Sequence, residues 1–176
     1  MKASLPLEAL LHAKSERLRE AGIDQAGFEP DPAAVPLLVQ VASVDPVPRL
    51  RQRALQVLAE RYHGPEATKL FDRLLDDADD EVSAAAAGAI ARAGDSSLAP
   101  HLRQVIAHPA GNVRTIAAIR ALAKLADAAS ASAIAARLND AQPVGGEASL
   151  ALNILLKADR SYGEWQAWAK QQGYLR

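Results

Sequence analysis

A chain of 176 residues, 49% hydrophobic and 23% charged, is long enough to bury a sizeable core and too polar for a membrane protein. Its 20 Lys and Arg against 21 Asp and Glu leave a net charge of −1, with no excess to hold a phosphate backbone or an anionic membrane. The absence of cysteine excludes disulfides, thiolate metal sites and cysteine nucleophiles together.

Pro6 and Glu8 interrupt the apolar amino-terminal patch before it becomes a signal-peptide core, so no targeting signal is expected. The longest apolar stretch, Val82 to Ile90, is far short of the ~20 residues of a bilayer span. A helix is predicted over 6–21, with Leu7, Leu10, Leu11 and Leu18 along one side, followed by a longer connection from Gly22 to Pro32. It reads as an amino-terminal cap.

From there the chain repeats. Ala54, Ala86 and Ala118 stand 32 apart, as do Leu58, Ile90 and Leu122; Ala148 and Leu152 continue both series after a step of 30. Leu70, Leu102 and Ile134, and then Leu74, Ile106 and Leu138, keep the same step, which extends backward to Leu38 and Ala42. Two apolar stripes at helical spacing mean a helix pair per repeat. The predicted helices are 33–44, 48–62, 66–76, 80–93, 97–107, 112–126, 129–139, 146–158 and 161–172.

Turn residues fall where this register needs them, at His63-Gly64-Pro65, Gly94-Asp95-Ser96-Ser97 and Asp127 to Ser130 within repeats. Pro36 and Pro100 suit the first turn of second helices, where the missing N–H has no partner to lose. Ser161 and Glu164 have capping-box spacing, and Trp165 and Trp168 follow on one helical face as a carboxy-terminal seal.

The units Val82-Ser83-x-x-Ala86-x-x-Ala89-Ile90-x-x-Ala93-x-Asp95 and Arg114-x-x-x-Ala118-x-x-Ala121-Leu122-x-x-Leu125-x-Asp127 resemble HEAT-like repeats of the short bacterial type also found in phycobilisome lyases. Arg51 fits the place where such repeats carry an arginine; Ser83 and Gly145 do not, and Arg114 and Arg120 lie near but shifted. The resemblance implies an all-α fold, a right-handed α-α superhelix or HEAT-like α-solenoid of about five helix pairs including caps. The expected organisation is a single domain over 1–176: a cap and first pair over 1–44, repeats over 45–158 and a capping helix over 159–176.

Candidate chemistry is sparse. His12, His63, His101 and His108 are scattered, and seven residues of helix separate the last two by ~10.5 Å, too far to share one ion unaided. Metal-dependent HEAT-repeat hydroxylases use His-Glu dipeptides, and no histidine here precedes a glutamate. The run Asp76-Asp77-Ala78-Asp79-Asp80-Glu81 lacks calcium-loop spacing and suits the start of a helix, where carboxylates cap N–H groups. Val144-Gly145-Gly146-Glu147 lacks the lysine of a phosphate loop and reads as a flexible helix entry. No metal or cofactor is expected.

The remaining site signal lies on the second helices, whose solvent faces recur along a stack. With Leu70, Phe71 and Leu74 inward, Lys69, Asp72 and Arg73 point outward; His101, Gln104 and Arg137 are their counterparts further on. This mixed, mildly basic row suits an acidic or helical segment of another protein. The expectation is a monomeric, cytoplasmic, non-catalytic interaction module that binds a partner protein along its concave face, and neither nucleic acid nor membrane. Similarity of repeat type implies two alternatives: a bilin lyase-like enzyme or lyase subunit, and a DNA glycosylase-like HEAT protein, the latter disfavoured by the charge.

Overall fold

The computed structural model describes residues 5–62 and 64–175. His63 and the turn position it was assigned lie outside them. Every regular element among the described residues is helical, and the chain forms two compact units, Met1–Ala93 and Gly94–Arg176.

In the first unit, α2 (Glu16–Phe28), α4 (Pro48–Arg61) and α6 (Asp80–Ala93) lie side by side as one layer. The helices α1 (Leu7–Leu11), α3 (Ala34–Val44) and α5 (Pro65–Leu74) form the other. Ile23, Leu38, Leu50, Leu55, Leu58 and Leu75 are buried between the layers. Pro48 and Pro65 open α4 and α5 at positions where no backbone hydrogen bond is lost. Asp79 caps α6, its Oδ1 accepting from the N–H groups of Glu81 at 3.0 Å and Val82 at 3.1 Å, the role predicted for the acidic run.

The amino-terminal reading needs correction. The single helix predicted over 6–21 is two helices, broken at His12–Ser15, and the supposed connection after Gly22 is helical to Phe28. Gly22 and Ala26 stand 32 before Ala54 and Leu58, so α2 is a full repeat helix in register. Gly22 lets α1 and α2 touch: a Cβ there would lie 2.9 Å from the Leu10 Cβ.

In the second unit, a 3-10 turn (Ser96–Leu98) leads into α7 (Ala99–Ala107), α8 (Asn112–Lys124) and a second 3-10 turn (Ala128–Ser130). Then follow α9 (Ala131–Ala135), α10 (Val144–Leu155) and α11 (Tyr162–Gln171). Here α8 packs on α10 in one layer, while α7, α9 and α11 make the other. Leu102, Ile106, Ile119 and Leu122 are fully buried. The helix predicted over 129–139 is shorter, because the N–H groups of Arg137, Leu138 and Asp140 bond three residues back and tighten the chain into turns.

One position of the first helices has a recurring task. Arg19 Nη1 donates to the carbonyls of Ala13 and Lys14, and Arg51, 32 residues later, donates to that of Asp45. Their guanidinium groups also pair with Asp45 at 2.6 Å and Asp77 at 3.0 Å, carboxylates again 32 apart. Ser83, next in register, sends its hydroxyl to the Leu75 carbonyl. The side chain thus satisfies carbonyls left unbonded at the end of the preceding helix. Arginine does so and binds a carboxylate as well; serine does only the first.

Candidate partner-binding face

Along α5, Ala67, Leu70, Phe71 and Leu74 are buried, which leaves Lys69 and Arg73 exposed and Asp72 half-buried on the opposite side. Arg73 reaches across to α3, where its guanidinium donates to the Ser43 hydroxyl. On the far edge of α3, Gln40 Oε1 lies 3.1 Å from His12 Nε2 at the end of α1. The first unit therefore carries a polar row across its second helices, from His12 through Gln40 and Ser43 to Arg73, with Lys69 and Asp72 beside it.

Sequence reasoning found Lys69, Asp72 and Arg73 and missed Gln40, Ser43 and His12. Gln40 was within reach, since it stands 32 before Asp72 and 64 before Gln104. Ser43 and His12 carry no repeat signal and are found by geometry alone.

In the second unit, α7 holds His101, half-buried, and Gln104, exposed, over the buried Leu102, Val105 and Ile106. Arg137 is not on a helix, because α9 ends at Ala135. It lies in the following turn with its side chain 22% exposed, its Nη1 3.5 Å from Asp140 and its buried Nε without a hydrogen bond. There it lines a polar cleft of about 380 Å³ with Asn112, Thr115 and Asp140. The six predicted residues thus form two groups, one per unit, and Arg137 stands apart from the helical pair His101 and Gln104.

The row on the first unit offers amide, hydroxyl and guanidinium donors beside the Asp72 carboxylate, a surface for hydrogen-bonding a peptide or helix. Among the described residues, no three His, Cys, Asp or Glu side chains are grouped to hold a metal ion. His12 is engaged with Gln40, and His108 is exposed at the end of α7. The glycine pair opening α10 is not the flexible entry predicted. A Cβ on Gly145 would lie 2.8 Å from the Asp140 carbonyl and 2.9 Å from that of Leu138, so the glycine serves close packing. Trp165 is buried, with its Nε1 donating to Asn153 Oδ1 at 2.9 Å and Arg160 stacked 4.8 Å from its ring centre. The Ser161–Glu164 capping box forms as its spacing predicts.

HEAT repeats are matched over residues 67–153. Among solved structures the chain is similar to one in the complex of CpcE and CpcF of phycocyanin lyase from Nostoc sp. PCC7120. The TM-score is 0.70 at 21% identity, covering 92% of this chain and 69% of that one. This likeness shows the fold, an all-α solenoid of HEAT-like helix pairs. No curated protein sequence matches the chain. No helix among the described residues is long and apolar enough to cross a membrane.

Proposed function

Since the chain is a HEAT-like repeat protein, we propose that it is a non-catalytic binding module for another protein, which lies along the exposed faces of its second helices. The observation that carries this reading is the polar row of the first unit, in which Gln40 on α3 and Asp72 on α5 stand 32 residues apart beside Ser43 and Arg73. A recurring polar position above a conventional apolar stripe is how repeat folds build an extended surface for a chain-like ligand. A partner with an acidic or helical segment suits Lys69 and Arg73.

The test is photo-cross-linking from residues 40 and 72 in the native cell, with Arg92 on the outer face of α6 as control. Adducts to one protein from both sites, weakened by Lys69→Glu with Arg73→Glu at unchanged melting, support the proposal. Adducts from the control position alone, or capture undiminished by the double variant, overturn it.

A second reading, a lyase subunit that helps attach a bilin to an acceptor protein, draws support from the structural likeness to the phycocyanin lyase complex. Incubation with a linear tetrapyrrole and an apo-phycobiliprotein tests it. Covalent colour on the acceptor, surviving denaturation, would displace the non-catalytic reading.

A further inference from the structure

The helix α10 departs from the three first helices before it. Positions in register with Ile154 on α4, α6 and α8 are Glu60, Arg92 and Lys124, all exposed and charged, while on α2 the place falls to Phe28, the exposed last residue of that helix. Those in register with Leu150 include Asp24, Gln56 and Arg120. On α10 both places are apolar, with Leu150 59% and Ile154 63% exposed, side by side four residues apart. Between Val144 and Leu155 the helix has one charged residue, Glu147. A helix with so few polar residues is normally covered over most of its surface. One side of α10 meets α8, where Arg120 pairs with Glu147, and α11 packs against it as well; the Leu150–Ile154 face is uncovered.

The pattern on this face is self-complementary. In an antiparallel pairing centred on Leu152, Leu150 of one copy falls opposite Ile154 of the other. The same register sets Glu147, already held by Arg120 within the chain and with its side chain 19% exposed, at the level of Lys157 of the other copy. Lys157 is exposed just beyond the helix and has no ion-pair partner among the described residues. Two apolar contacts at the centre, and opposite charges at one level toward the rim, arise from one twofold axis, as an isologous interface requires. We propose that the Leu150–Ile154 face is a homodimer interface, covered by α10 of a second copy in antiparallel register, in place of the monomer that sequence reading expects.

Sedimentation of the full chain over a concentration series tests it. The expected mass rises toward twice 18.6 kDa, and Leu150→Arg with Ile154→Lys, which restores the residues found on α8, holds it at one chain with unchanged helicity. Register is tested separately, because the chain has no cysteine of its own. A mixture of Leu150→Cys and Ile154→Cys proteins should form disulfide dimers faster than either alone. A wild-type protein that stays single-chain at every concentration overturns the proposal, as does a dimer that survives the double variant. Equal cross-linking by the unmixed proteins, or an unlike protein found on this face, does the same.

Discussion

The Tyr162 hydroxyl donates to the carbonyl of Leu138 across the bare Cα of Gly145. Gly145 stands in register with Arg19, Arg51, Ser83 and Thr115, and where Ser83 uses its own side chain to satisfy a carbonyl of the preceding segment, here the bond comes from α11. The glycine and the tyrosine are two halves of one solution. Tyr162→Phe should cost about 1–3 kcal/mol by stranding that carbonyl. Gly145→Ser should cost a similar ~1–3 kcal/mol, because its Cβ meets backbone that cannot move aside cheaply. Urea melts of both variants check this, and a Gly145→Ser protein of wild-type stability would show that the turn yields.

The Arg19–Asp45 pair tests whether α2 is part of the repeat stack. Asp45 is nearly buried, with its side chain 3% exposed, and besides Arg19 it accepts from the Val47 N–H at 2.9 Å. Arg19→Met leaves that carboxylate without its counter-charge, and removing one partner of a buried pair costs about 3–5 kcal/mol. Arg53→Met, at an exposed pair with Asp24, should cost under ~1 kcal/mol. Thermal melts that rank the two variants in the opposite order would refute this assignment.

Stability should fall in acid through Glu147. Its hydrogen bonds from Arg120, one of them 2.9 Å, hold its carboxyl below the usual carboxylate range, against the opposing pull of burial. A group bound more tightly when charged stabilises the fold fully above its unfolded pKa, and loses that contribution as pH falls through the folded value. The loss therefore begins as pH drops below about 4.5. Arg120→Leu should flatten this part of the stability profile, which equilibrium denaturation between neutral and acid pH can read.

At the centre of the second unit, Leu102→Ala should cost roughly 2–5 kcal/mol, since the side chain is fully buried and its removal leaves a cavity. A calorimetric melting temperature within error of wild type would mean that the site collapses around the smaller residue.

The repeat was legible because burial leaves a periodic trace: Leu70, Leu102 and Ile134 recur at 32 and all are buried. The break between α1 and α2 left no such trace. Ala13, Lys14 and Ser15 are compatible with a continuing helix, and what ends α1 is tertiary, the Arg19 guanidinium drawn to the Ala13 and Lys14 carbonyls and to Asp45. Of the candidate site, Lys69, Arg73 and Gln104 were readable as the outward side of an apolar stripe. Arg137 was misplaced onto a helix because three-residue turns preserve enough apolar spacing, at Ile134 and Leu138, to imitate one. Leu150 and Ile154 escaped notice for the opposite reason. On a helix with so few polar residues, sequence does not say which side faces water.

Both tryptophans, Trp165 and Trp168, sit on α11, one buried and one half-exposed, their rings edge to face at 5.1 Å. Emission excited at the red edge of the absorbance band therefore reports on the carboxy-terminal helix and is blind to residues 1–93, which contain no tryptophan. Circular dichroism sees every helix. If the two optical signals change at different denaturant concentrations, the units melt separately, and an indole placed in α4 would give the silent half its own voice.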